Sequence, residues 1–99
     1  MSAAAPVRAI AAETSRPYLP RHVRLRFDPV REKYVVLAPE KLFWPDDVSV
    51  AILKLCDGSR GVGAIADVLA KEYDAPRGII LEDLLEFVQE WSDNLLLRI

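Results

Sequence analysis

Ninety-nine residues, 52% of them apolar and with no run of about eighteen apolar residues, describe one small domain with a modest core; they exclude wholesale disorder and a helical membrane span. A single cysteine, Cys56, excludes an internal disulfide, and beside the one histidine, His22, it cannot complete a four-ligand Cys/His zinc site. The net charge of −2 is split: residues 1–45 carry eight Arg/Lys against four Asp/Glu and residues 46–99 five against eleven, so the halves are +4 and −6. Such halves either attract each other within one fold or present a polar surface to a partner. One unpaired cysteine, with no charged-then-apolar segment at the N-terminus, sets the expectation of a reducing, cytoplasmic setting without secretion or membrane attachment.

Residues 1–15 are Ala-rich, interrupted by Pro6 and closed by Arg16-Pro17, and read as a flexible tail ahead of a domain over residues 16–99. Arg21–Phe27 is the clearest strand, because Val23, Leu25 and Phe27 alternate with Arg24 and Arg26. Asp28-Pro29 starts a turn, and Tyr34–Leu37 returns as a strand apolar on both faces. After a reversal at Ala38-Pro39-Glu40, Lys41–Trp44 forms a short third strand, and Pro45 puts it at a sheet edge because proline donates no ladder hydrogen bond.

Asp46 or Asp47 can cap the helix that follows, whose face is Val48, Ile52 and Leu55, with Cys56 as a small core residue and Asp57-Gly58 as the stop. Val62–Tyr73 is a second helix with Val62, Ile65, Ala66, Leu69 and Tyr73 on one side, weakened at its start by Gly61 and Gly63. Pro76 suits the first turn of a third helix over Ile79–Asn94. With Leu84 as origin and about 100° per residue, Ile80, Leu81, Phe87, Val88 and Trp91 fall within roughly 60° of it, while Glu82, Glu86 and Asp93 fall opposite. Asn94 can end this helix, and Leu95–Ile99 adds a short strand or packs down. The fold class is α+β, winged-helix-like, with a three-stranded antiparallel sheet followed by three helices.

No catalytic set emerges. His22 has no nucleophile near it in sequence, and the carboxylates of the third helix mostly point outward, where they are solvated. Gly58, Gly61 and Gly63 do not spell a phosphate loop. No cofactor or metal is expected. A winged helix that binds nucleic acid is the alternative reading, but the third helix carries five acidic residues and no basic one, which repels phosphate.

Arg16-Pro17 ahead of VRLRFD, LAPE at Leu37–Glu40, AILKLCDG at Ala51–Gly58, AIADVLAKEY at Ala64–Tyr73 and EDLLEFV at Glu82–Val88 form an ordered series that resembles the PqqD family of pyrroloquinoline quinone biosynthesis. Gly61 stands where a Thr cap is expected, Asn94 where a Gly usually precedes the final leucines, and Pro45 just after the third strand. The resemblance implies a precursor-peptide recognition element, a non-catalytic chaperone that binds the peptide PqqA and presents it to the radical SAM enzyme PqqE. It places the groove between the third strand and the third helix. Here that means Lys41, Leu42, Phe43 and Trp44 facing one shoulder of the helix. The shoulder with Asp83, Phe87 and Glu90 is favoured over that with Leu85, Gln89 and Ser92, since an aromatic flanked by acids suits apolar anchors and basic side chains. Of Phe43 and Trp44, one faces the core and the other the groove. The basic hairpin face is left to the enzyme, and a free edge strand leaves room for a homodimer.

Overall fold

The computed structural model describes residues 8–99. Three antiparallel strands, β1 Arg24–Asp28, β2 Lys33–Ala38 and β3 Lys41–Phe43, are followed by three helices, α1 Asp47–Lys54, α2 Val62–Glu72 and α3 Arg77–Asp93. This is the expected order. The sheet runs β1-β2-β3, with Leu25 opposite Val36 and Val36 opposite Phe43. Because side chains alternate across a strand, this row faces the helices, and Val36 is fully buried there. The core beneath it joins Ile52, Leu53 and Cys56 to Val62, Ile65, Ala66 and Leu69, and to Leu84 and Val88 of α3. Among the described residues no helix is long and apolar enough to cross a membrane.

Several boundaries move for local reasons. β1 starts at Arg24 rather than Arg21, because the Val23 N–H closes a turn onto the Pro20 carbonyl. β3 ends at Phe43, short of Trp44-Pro45. Asp46 is the cap of α1, its carboxylate accepting from the Ser49 N–H at 2.8 Å. Of the expected face only Ile52 is buried, together with Val50 and Leu53; Val48 sits exposed in the first turn and Leu55 is half-buried. In so short a helix two apolar faces compete, and the sheet and α2 select between them. Tyr73, expected on the core side of α2, is instead its exposed C-terminal cap. α3 begins two residues early, so it does carry one basic residue, Arg77, with Pro76 as its N-cap rather than in its first turn.

The segment expected as a tail divides in two. Residues 1–7 lie outside the described residues. Residues 8–15 pack along α2 and α3 and supply what α2 lacks. Gly61 offers no side-chain cap, but the Val62 N–H donates to the Ser15 carbonyl (2.8 Å) and the Gly63 N–H to the Glu13 carbonyl (2.9 Å). A Cβ on Gly63 would come within 2.7 Å of Glu13 Cγ. The glycines that weaken the helix start in sequence are thus where the chain passes closest. Arg77 ties Glu13 (2.6 Å) and Asp67 together across the same region.

The chain end packs down and is pinned by one pair of backbone hydrogen bonds between Tyr18 and Arg98. α3 closes with the Leu95 N–H on the Ser92 carbonyl and the Leu96 N–H on the Trp91 carbonyl, a Schellman pattern. The left-handed residue it needs is Leu95 (φ 63°), not Asn94 (φ −90°). Leu95 is 76% exposed, so its side chain contributes little packing. A non-glycine residue costs about 1–2 kcal/mol in this conformation. Leu95→Gly is therefore expected to raise stability by about 1 kcal/mol, read as a higher urea midpoint at unchanged m-value.

Candidate peptide-binding cleft

The expected site residues separate according to the pleat of β3. Lys41 pairs with Ala38 and Phe43 with Val36, so both point to the helix side; Leu42 pairs with Leu37 and points away. On the helix side a cleft of about 390 Å³ opens between β3 and the last turns of α3, lined by Lys41, Phe43, Glu90, Trp91, Asn94 and Leu96. Its floor is aromatic. Phe87 stacks on Trp91, with ring centroids 5.0 Å apart and 20° between planes, and Trp91 meets Phe43 at 6.4 Å. Lys41 on the strand and Glu90 on the helix place opposite charges on the two walls.

Of the residues expected at the groove, Lys41, Phe43 and Glu90 line this cleft, and Phe87 supports it through Trp91. Asp83 stands exposed on α3, about two turns before Glu90. Leu42 and Trp44 are not in the lining. Leu42 is exposed on the opposite side of the strand, and Trp44 lies beneath the Arg31 guanidinium, 5.6 Å from its ring. Trp91, Asn94 and Leu96 also line the cleft, although no sequence pattern marks them as groove residues. Trp91 reads as part of the apolar stripe and Asn94 as a cap, and both also reach the groove wall. The signal available in sequence is the size of Trp, which is seldom wholly buried, one helical turn after Phe87.

The other shoulder of α3 is occupied by the chain itself. The Gln89 amide accepts from the Ala11 N–H (2.7 Å) and donates to the Ala9 carbonyl (2.9 Å), satisfying two backbone groups of that segment at once. Arg8 grips Asp93 with two hydrogen bonds, at 2.8 and 2.6 Å. The Arg8 guanidinium holds the Asp93 carboxyl below the usual carboxylate range. A lowered folded-state value means the contact is complete above the ordinary Asp pKa of about 3.9 and is lost as pH falls through the lowered one. The Ala11 amide resonance is expected to hold its position from pH 7 to about pH 4 and to move toward its unanchored shift only below that; movement near neutrality would show that Asp93 is not the anchor.

Nothing in the cleft is arranged for covalent chemistry. The Cys56 thiol is buried, donates to the Ile52 carbonyl (3.2 Å), and is pushed up to about 12, first by burial and then by Asp57. His22 is exposed elsewhere, beside Tyr18 and Arg98. Among the described residues no group of three His, Cys, Asp or Glu could hold a metal ion.

A family model described as coenzyme PQQ synthesis protein D (PqqD) matches residues 33–97. A protein of Rhodopseudomonas palustris strain TIE-1 named PqqA binding protein is 51% identical over 90 residues, 91% of this chain and 88% of that one. The solution structure of the PqqD part of Methylobacterium extorquens PqqCD, described as a functional and stand-alone recognition element for ribosomally synthesized and post-translationally modified peptides, superposes with a TM-score of 0.77 at 44% identity, over 93% of this chain and 97% of that one. The crystal structure of PqqD from Xanthomonas campestris gives a TM-score of 0.57 at 34% identity, over 89% and 98%.

Proposed function

The chain belongs to the PqqD family, and from that premise we propose that it is a peptide-binding adaptor of pyrroloquinoline quinone biosynthesis, one that holds the precursor peptide PqqA and presents it to the radical SAM enzyme PqqE. The observation that carries the proposal is the cleft between edge strand β3 and α3. Among the described residues β3 is bonded to β2 on one side only, so its other edge offers backbone N–H and C=O groups to an extended peptide. Three residues followed by Pro45 permit only a few such bonds, so side-chain anchoring carries most of the specificity. The Phe43 and Trp91 rings, with Trp91 backed by Phe87, accept an apolar anchor. Glu90, with Asp83 further along the helix, favours a basic neighbour on the peptide, and Lys41 an acidic one.

The choice of shoulder is supported by the occupation of the other one, where Gln89 already pairs with residues 9 and 11. The chain performs no chemistry on the peptide. A second copy would compete for the same β3 edge, so the peptide-bound form is monomeric and any edge-paired homodimer is peptide-free. A cytoplasmic setting suits the single reduced thiol. The test is a titration of labelled PqqA and of a generic DNA duplex at moderate salt. Saturable binding of peptide alone is expected; saturable binding of duplex without peptide would overturn the proposal in favour of nucleic-acid recognition.

A further inference from the structure

The side of the sheet away from the helices has its own chemistry. Its rows are Arg24 opposite Leu37 and Leu37 opposite Leu42, with Arg26 opposite Val35. Val35 is only 7% exposed although it lies outside the main core, so this face is not simply wet. Leu42 is 61% exposed and Trp44, just beyond it, 47%. Arg24 and Arg26 are exposed, and among the described residues neither forms an ion pair, whereas Arg8, Arg31 and Arg77 each do. On the helix side of the sheet, α3 carries Glu82, Asp83 and Glu86 exposed to solvent and Glu90 in the wall of the cleft. An acidic partner is repelled there and attracted here.

We propose that the outer face of the sheet is a docking surface for an acidic protein partner, whose carboxylates meet Arg24 and Arg26 and whose apolar side chains cover Leu42 and Trp44. Resting on the function proposed above, that partner is the enzyme to which the peptide is presented. The pleat of β3 makes the arrangement possible. Lys41 and Phe43 face the peptide, Leu42 faces the partner, and the two ligands touch one strand from opposite sides without competing. Three strands about 4.8 Å apart, rising about 3.4 Å per residue and narrowing from six residues in β2 to three in β3, give a face of at most roughly 14 by 20 Å. That is well below the roughly 800 Å² per partner of a stable interface. The contact is therefore transient, steered by charge and sensitive to salt, which suits an adaptor that has to release.

The experiment uses the full chain with PqqA and PqqE from the same pathway, measuring each association separately. In Arg24→Glu/Arg26→Glu, peptide affinity is expected to stay within twofold of wild type while association with the enzyme falls at least tenfold. Leu42→Asp should show the same split. Wild-type association should fall severalfold between 50 and 300 mM salt (conditions chosen to span roughly 14 to 6 Å of screening length). Circular dichroism melts of both variants confirm that they fold. Enzyme binding by the variants equal to wild type, or wild-type binding indifferent to salt, overturns this surface while leaving the peptide reading intact. A wild-type chain that binds PqqA but not PqqE overturns the assigned partner, and one that binds neither overturns the functional reading itself.

Discussion

Phe43→Ala is expected to weaken PqqA binding by roughly thirtyfold while the chain stays folded. Truncating an aromatic anchor at the centre of a contact costs about 2 kcal/mol, and every 1.4 kcal/mol is tenfold. Phe43 qualifies because it lies on edge strand β3, lines the cleft, and meets Trp91 across it at 6.4 Å. It is half-buried rather than buried, so its removal spares most of the core. Leu42→Ala provides the control. It removes a side chain of similar size from the next position of the same strand, but from the opposite face, and should leave peptide affinity within twofold. Fluorescence anisotropy of a labelled peptide measures both. Equal losses in the two variants would mean that the peptide does not lie on the helix side of β3.

Leu84→Ala is expected to lower stability by about 3–4 kcal/mol, the usual range for opening a cavity where a leucine is wholly enclosed. Leu84 is 1% exposed at the middle of α3, in the cluster that joins that helix to α2 and the sheet. A domain of this size is stable by roughly 5–14 kcal/mol, so a large share is removed. Each kcal/mol shifts the melting midpoint of such a domain by about 4–8 °C, so a fall of about 12–30 °C is expected. Urea unfolding of the variant checks it. A loss under about 1 kcal/mol would mean that α3 is not clamped through this residue. Because both walls of the cleft depend on where α3 sits, peptide affinity in this variant should also fall as temperature rises, well before that of wild type.

The alternation of Val23, Leu25 and Phe27 with arginines, and the stripe around Leu84, are local patterns with one physical reading each. Both elements are legible because a strand repeats at two residues and a helix at 3.6. The strand's expected apolar face holds only in part: Val23 falls before β1, and Phe27, near the strand's end, is 51% exposed and meets Tyr34 edge-on at 5.2 Å instead of entering the core. The face of the short first helix is not legible, since Val48-Ile52-Leu55 and Val50-Leu53 are both plausible faces and only the sheet and α2 choose between them. The backbone at Leu95 was hidden for another reason. A leucine in a left-handed conformation is locally unfavourable, and it is held there by buried Leu96 and Leu97 on one side and the end of α3 on the other. In the cleft, Lys41, Phe43 and Glu90 follow from the resemblance to a known family, whereas the places of Trp91, Asn94 and Leu96 follow only from the tertiary structure.

For this protein the sequence by itself determined the order of the elements, the apolar side of each long one, the acidic back of the third helix, and the family. Those follow from periodicity, caps and motifs spanning a few residues each. Tertiary structure decided which shoulder of that helix stays open. The deciding contacts are Gln89 with Ala9 and Ala11 and Arg8 with Asp93, partners about 80 positions apart. No pattern along the chain encodes such a pairing, because an Ala-rich segment has little side-chain preference and is placed through its backbone. The same segment explains the glycines at the start of α2, which look like weaknesses until Glu13 and Ser15 are laid against them.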